Sequence, residues 1–134
     1  MKISTVNRDA IAQIILDEMA AGSAGSPVIE FYEGTMPSSF GATITDTLLA
    51  AVTLTNTVGT ISNGVITFDP ISEDPSADAS GDIGYAVARD RDGGQAAYFT
   101  VSANGTGDIN FSSVAVVAGQ PVGISSFTVS IGGA

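Results

Sequence analysis

The residues best suited to chemistry in this chain are carboxylates, and many of them lie in one stretch. The segment 69–82 reads DPISEDPSADASGD and carries Asp69, Glu73, Asp74, Asp78 and Asp82. Carboxylate oxygens are the ligands that hard cations prefer, so Asp69, Asp74 and Asp78 could hold one. The sequence fixes no geometry for them, and the two prolines of the segment are typical of a surface loop with hydrated carboxylates. We therefore predict a loop here and assign no metal ligand.

A second acidic motif, Asp90-Arg91-Asp92-Gly93, invites comparison with an EF-hand calcium loop. Such a loop needs regularly spaced oxygen ligands, a glycine at its sharp turn and a closing bidentate Glu. Here the third ligand position is Gly94, the turn glycine is replaced by Gln95, and the closing position is Val101. The motif fails as a calcium loop and predicts a tight turn, because Gly93 tolerates a positive φ.

Most side chains on which enzymes depend are absent from the sequence. The chain has no His and no Cys, and Lys2 is its single Lys, so its serines have no base to activate them. Paired carboxylates that cleave glycosides usually work beside aromatic platforms, whereas this chain has no Trp and 3 Tyr. The motif Asn104-Gly105-Thr106-Gly107 lacks the Lys and the long helix of a phosphate-binding loop. We predict no enzyme, no catalytic or cofactor-binding residue, and no small-molecule substrate.

The charge balance argues against two classes of partner. The chain carries 14 acidic and 4 basic residues, a net charge of −10. Nucleic acids and anionic membranes bind through clustered Lys and Arg, which are missing here. No apolar run approaches the length of a membrane span, and Asp17 and Glu18 interrupt the N-terminal apolar stretch where a secretory signal would need one. Neither nucleic acid nor membrane is an expected partner.

The elements that position these residues are predicted to be mostly short strands. Two runs of alternating apolar residues flank the turn at Gly93 and predict a central β-hairpin. The alternating positions are Ile83, Tyr85 and Val87 on the first strand, and Ala97, Phe99 and Val101 on the second. Each set of three is expected to point to one face of its strand.

Similar patterns elsewhere predict about eight short strands with turn signals between them. Besides the hairpin, the predicted strands are 28–33, 48–55, 65–68, 109–111, 114–117 and 127–131, with a turn region at 56–63. Strand 28–33 is expected to have one wet face. Short strands at this spacing favour an antiparallel β-sandwich of jelly-roll type over a βαβ fold.

A single helix is predicted near the N-terminus, over Ala10 to Ala21, with Asn7 as its N-cap. Its apolar stripe consists of Ile11, Ile14, Ile15 and Met19. We expect this stripe to dock on a sheet or on a neighbouring subunit. The length of 134 residues predicts a single domain, with an arm and helix in 1–25 and the β-sandwich in 28–134.

The order of motifs along the chain resembles a family of small structural proteins of tailed bacteriophages and prophages. After the helix, the matching motifs are IEFYEGTMP (29–37), TLLAAVTL (47–54), NGVIT (63–67), SADASG (76–81), RDRDGG (89–94), AGQPV (118–122) and SFTVSI (126–131). Where many relatives carry an aromatic residue after SADASG, this chain has Ile83-Gly84-Tyr85. The resemblance covers nearly the whole chain, implies a component of the virion, and carries over no catalytic residue.

Composition agrees with what this resemblance implies. Faces rich in Ala, Val, Gly, Ser and Thr lose little side-chain entropy when subunits associate. Packaged DNA would repel a subunit of charge −10, so we expect it outside the head as a decoration or cement protein, or in the tail or neck. The expected partners are the major capsid protein and copies of itself. The alternatives from other classes are a carbohydrate-binding, adhesive β-sandwich at a tail tip and a cation-stabilised module.

Overall fold

One helix and ten strands make up the fold, and a computed structural model describes all residues from 1 to 134. The prediction of a mainly β protein with a single N-terminal helix is confirmed, with ten strands in place of about eight. The elements are α1 (Thr5–Ala20), β1 (Val28–Glu33), β2 (Leu48–Thr53), β3 (Gly59–Ser62), β4 (Val65–Phe68), β5 (Gly81–Arg89), β6 (Gln95–Ser102), β7 (Ile109–Asn110), β8 (Ala115–Val116), β9 (Ser126–Phe127) and β10 (Val129–Ser130).

The main sheet has the strand order β2-β1-β5-β6-β7-β9, and β8 pairs with the start of β5. Every pairing is antiparallel except that of β6 with β7, so the prediction of a purely antiparallel arrangement is wrong at this point. The loop 103–108 is the cause. The Ser102 hydroxyl accepts the backbone N–H groups of Thr106 and Gly107, at 3.0 and 2.9 Å. The loop therefore returns the chain to the side of β6, and β7 then runs parallel to the end of β6.

A second, three-stranded sheet has the order β10-β4-β3. Its strand β3 lies in the segment that was predicted to be a turn region, so that prediction is wrong for Gly59–Ser62. Asn63 and Gly64 do form a turn, with φ of 54° and 75°, as the Asn-Gly pair indicates. This hairpin is pinned to the helix, because the Asp9 carboxylate accepts the N–H of Gly64 at 2.5 Å.

Helix α1 begins at Thr5, five residues earlier than the predicted start at Ala10. Ser4 is its N-cap, with its hydroxyl accepting the N–H of Asn7 at 3.2 Å, so the assignment of Asn7 as the cap is wrong. A Ser cap satisfies one of the N–H groups that a helix start leaves unpaired. The guanidinium of Arg8 in the first turn donates to the backbone oxygen of Asn63 at 2.8 Å.

The helix buries a different stripe from the predicted one. Ala12, Leu16 and Met19 are its buried residues, whereas Ile11 is 42% and Ile14 is 69% exposed. The helix packs against β3, β4 and β6 through the buried stripe. Ile15 is partly buried and packs against the core. Docking of the predicted stripe on a sheet therefore holds for Met19 and Ile15 and fails for Ile11 and Ile14.

Most of the core is one cluster of 20 buried apolar residues drawn from the helix and from both sheets. Ile29 and Phe31 of β1 belong to it, as their alternation predicts. The opposite face of β1 is not wet as predicted, because Tyr32 there is only 7% exposed. Residues 34–47, here called the covering loop, lie over this face and pack Met36 and Ile44 against Tyr32.

The faces of β5 differ from the predicted alternation. Tyr85 and Val87 lie under the covering loop with Tyr32, whereas Ile83 belongs to the large cluster on the other side. The register between β1 and β5 shifts between the pairs Tyr32–Tyr85 and Glu33–Ile83. Such a bulge leaves one residue of β5 unpaired and reverses the side to which the preceding residues point.

The turn of the central hairpin contains Gly93 with a φ of 87°, as predicted. Gly93→Val is expected to lower the free energy of unfolding by about 1–2 kcal/mol, because an L side chain is strained in this conformation. Nothing lies within 4 Å of the position of the added Cβ, so the loss measures backbone strain without a steric clash. Urea titration beside Gly132→Val, a position with open space and no positive φ, is the measurement. Equal stability of the two variants would contradict the assignment.

Candidate functional site

The acidic loop, residues 69–82, is a surface loop as predicted up to residue 80, whereas Gly81 and Asp82 begin β5. It runs along the outer edge of β2. Thr53 and Ser72 exchange backbone hydrogen bonds of 3.0 and 2.9 Å. The Ala51 N–H donates to a carboxylate oxygen of Asp74 at 2.9 Å. The loop therefore covers an edge that would otherwise present unpaired N–H and C=O groups to other strands.

The carboxylates that were considered as cation ligands do not come together. Hydroxyl groups of Thr55 and Thr57 donate to Asp69 at 2.6 and 2.7 Å, and these bonds lower the pKa of Asp69. Asp74 is occupied by backbone N–H groups. No three acidic side chains of the chain form a group that could hold a metal ion. Asp69 and Asp74 thus hold hydroxyl and backbone donors of the chain itself.

The carboxylates of the central hairpin turn also bind backbone. Asp92 accepts the N–H groups of Ser23 and Ala24, at 3.0 and 2.9 Å, which joins the turn to the segment after α1. Asp90 accepts the N–H groups of Asp92 and Gly94, at 3.0 and 2.8 Å. The motif acts as a turn that fastens two distant segments of the chain.

The backbone bonds from Ser23 and Ala24 lower the pKa of Asp92, which predicts a specific effect of acid. A carboxyl group whose pKa is lower in the folded state contributes stability above its unfolded pKa of about 3.9. That contribution is lost as the pH falls through the folded value. Asp92→Asn keeps the acceptor oxygen and removes the charge, so its melting temperature is expected to fall less than that of the wild type below about pH 4. Parallel melting curves for the two proteins across the acid range would contradict this role.

A polar cluster under the covering loop is absent from the sequence-based expectations. Arg89 of β5 forms an ion pair with Glu30 of β1, and the Tyr32 hydroxyl donates to Glu30 at 3.1 Å. The Tyr85 hydroxyl donates to Asp46 of the covering loop at 2.8 Å. The rings of the two tyrosines stack with centroids 5.5 Å apart. Only the register between β1 and β5 brings these residues together, and no local sequence signal reveals that register.

The chemistry available to this cluster is structural. Burial and the hydrogen bond to Asp46 raise the pKa of Tyr85, so its hydroxyl stays protonated and acts as a donor. The Tyr85 side chain is 0% exposed, which leaves no route for a substrate to its oxygen. The cluster fastens the covering loop to the sheet.

The largest apolar concavity of the surface lies between α1 and β6 and measures about 480 Å³. We call it the β6 groove. Eight of its nine lining residues are hydrophobic, and Glu18 is the charged exception. The walls consist of Ile14, Ile15 and Glu18 of α1, Phe40 of the covering loop, Ala96, Ala97, Tyr98 and Phe99 of β6, and Val129 of β10.

Two large apolar side chains of the groove are open to solvent. Ile14 is 69% and Phe40 is 62% exposed, and the Phe40 ring leans on Tyr98 with centroids 5.0 Å apart. Contiguous exposed apolar surface of this kind marks interaction sites in soluble proteins. The outward side of the predicted helix stripe thus becomes one wall of a candidate docking surface.

The backbone of β6 is also open along this groove. β7 pairs with β6 only at Val101 and Ser102, and the N–H of Thr100 is taken by the Asp108 carboxylate at 3.0 Å. Because the bonding direction alternates along a strand, the N–H and C=O groups of Tyr98 point to the same outer side as those of Thr100. No strand of the fold lies beside them.

Comparison of the chain with protein-family models, with curated proteins and with solved structures found no match. Helix α1 lacks the length and apolar character that crossing a membrane requires. The β6 groove and the open strand edge at its floor are the features of the surface that suggest a function.

Proposed function

We propose that this chain is a structural protein of a bacteriophage virion, most simply a decoration or cement protein that stabilises the head from outside. The observation that carries the proposal is the β6 groove, where exposed apolar side chains flank an unpaired strand edge. A subunit built to assemble must present such surface to its neighbours. Its expected partners are the major capsid protein and copies of itself.

Charge and the roles of the polar residues support the same proposal. A net charge of −10 favours a place away from packaged DNA. The carboxylates of Asp69, Asp74 and Asp92 accept hydrogen bonds from the chain's own groups, which supports a function without catalysis. The tail or the neck is the other place in a virion that these features suit.

We also propose that the two sheets stack as a single-domain sandwich of jelly-roll type. Ile66 of the smaller sheet belongs to the same apolar cluster as Ile29 and Phe99 of the main sheet, which supports face-to-face packing. In a sandwich, the loops and one open strand edge lie on the protein surface, where neighbouring subunits of a shell can bind them.

Quantitative mass spectrometry of purified virions tests the proposed function. We expect the chain to be present at a copy number comparable to that of the major capsid protein, and to be cleaved by protease added to intact particles. A copy number far below that of the shell protein would favour the neck or tail. Complete absence from the particle would contradict a virion role altogether.

Carbohydrate binding at a tail tip is the second candidate, and one observation favours it. The exposed Phe40 ring next to Tyr98 offers an aromatic surface on which a sugar could stack. A glycan array probed with the wild type and with Phe40→Ala distinguishes the candidates. Binding that disappears in the variant would support the adhesive function, and an empty array would remove it.

A further inference from the structure

We infer that the β6 groove receives one extended segment of a partner protein, which adds a strand to β6 and places a basic side chain next to Glu18. The inference deepens the proposed function, because it names the kind of partner segment that the assembly surface recognises. The partner belongs to a different protein from this chain. Three features of the groove carry the inference: its open backbone, its walls and its charge.

The backbone groups of the groove suit strand addition. By the alternation that places Thr100 outward, Tyr98 directs its N–H and C=O groups toward the same side, where no strand pairs with them. Tyr98 offers one donor and one acceptor, so an added strand can form about two backbone hydrogen bonds with it. The register shift at Ala96 ends the regular alternation there. Strand addition obtains affinity from such bonds and specificity from side-chain pockets.

The walls of the groove provide those pockets on both sides of the edge. Ile14 and Val129 lie on the side of the large core, and Phe40 lies on the side of the covering loop. Successive side chains of an added strand point to opposite faces, so both sets would meet apolar surface. A segment with apolar residues on both faces therefore fits, and a volume of about 480 Å³ accommodates several of its side chains.

The outer side of the edge strand β2 is covered, whereas the outer side of β6 is paired by β7 only at its end. The acidic loop covers the edge of β2, as shown by the Thr53–Ser72 and Ala51–Asp74 bonds. Natural edges that must stay unpaired carry Lys, Pro or inward-pointing charges, and residues 96–99 of β6 read AAYF. A register shift near Ala96 is the one protective feature there. The exposed stretch of β6 is thus available for pairing.

The charges of the groove and of the whole chain distinguish two possible occupants of the groove, a second copy of this chain and a different protein. Glu18 is the only charged residue of the groove lining, so a cation on the incoming segment would be attracted. Three of the chain's four basic residues, Arg8, Arg89 and Arg91, already donate to groups of their own chain. Two copies at −10 each also repel one another. A basic, apolar segment of another protein complements the groove better.

Two synthetic peptides test the inference on the full chain. Both are blocked heptapeptides of alternating Val and Ala, which are apolar on both faces, one with a central Lys and one with a central Glu. Titration followed by backbone amide NMR should shift the Ala96 and Tyr98 signals, slow exchange of the Tyr98 amide, and give about five-fold tighter binding of the Lys peptide. Glu18→Gln should remove the preference for Lys. Asp17→Asn, the same charge change on an exposed neighbour outside the groove, should keep it.

A substitution in the apolar wall of the groove provides a further test of the inference. Ile14→Ser removes the apolar wall without adding charge and should weaken both peptides about ten-fold, with little change in the melting temperature, since Ile14 is mostly exposed. Three results would each overturn the inference: no binding of either peptide at about 1 mM, equal affinity of the two, or protection of Tyr98 by a dimer of this chain. The presence of the chain in virions together with any of these would leave the proposed function standing and remove this inference alone.

Discussion

Gly84→Ala is expected to destabilise the protein by about 3 kcal/mol or more, a large fraction of the roughly 5–15 kcal/mol that keeps an ordinary domain folded. Gly84 lies at the bulge where β5 faces the end of β1. A Cβ atom at this position would lie 2.8 Å from the carbonyl carbon of Gly34 and closer still to its oxygen. Both groups are backbone, so neither can turn away as a side chain would.

The cause of this effect is close approach of two backbones, since Gly84 is not among the residues with positive φ. Gly132→Ala is the matched control, because an added Cβ there has nothing within 4 Å and no unusual φ. Chemical unfolding of both variants provides the comparison, with the control expected within about 0.5 kcal/mol of the wild type. Wild-type stability of Gly84→Ala would mean that β1 and β5 do not approach each other in this register.

Gly84 also shows where alternation stops being a guide to the fold. Period-two spacing correctly predicts strands over both arms of the hairpin, and it correctly places Phe99 in the core. It fails for Ile83 because the bulge moves that residue to the other face of the sheet from Tyr85. A bulge is defined by the partner strand, and the sequence of β5 alone contains no record of its partner.

The same limit applies to the polar residues of the candidate sites. Local chemistry identifies the acidic segment as a loop and Gly93 as a turn residue with positive φ, and the structure agrees. What the carboxylates contact depends on residues far away in sequence, such as Ser23 for Asp92 and Ala51 for Asp74. Through these contacts, carboxylates that resemble metal ligands in the sequence stabilise a strand edge and a turn.

The β6 groove combines a local signal with a long-range one. Ile14, which is apolar and exposed, belongs to the helix stripe that the sequence predicts to dock on a sheet or on a neighbouring subunit. The groove supports the second of these alternatives, as a proposal. The open edge of β6 could not be predicted, because it depends on β7 pairing only with the last two residues of that strand. Sequence pattern finds amphipathic surface, whereas topology decides which part of it stays uncovered.

Met19→Asp is expected to lower the free energy of unfolding by about 4 kcal/mol or more, because the Met19 side chain is 0% exposed and the new carboxylate would have no partner. Ile14→Asp on the same helix is expected to change it by about 0.5 kcal/mol or less, since Ile14 is 69% exposed. Urea denaturation of the two variants, followed by circular dichroism, measures the difference.

Ile14 separates two orientations of the helix that the sequence leaves open, and Met19 is buried in both. Apolar residues occur at helical spacing both in the predicted stripe of Ile11, Ile14, Ile15 and Met19 and in the stripe of Ala12, Leu16 and Met19, so the periodicity fits either face. The structure buries the second stripe, although the first is richer in Ile. A loss for Ile14→Asp as large as that for Met19→Asp would show that the helix docks through its Ile stripe. The β6 groove would then lose its outer wall, because Ile14 would belong to the core.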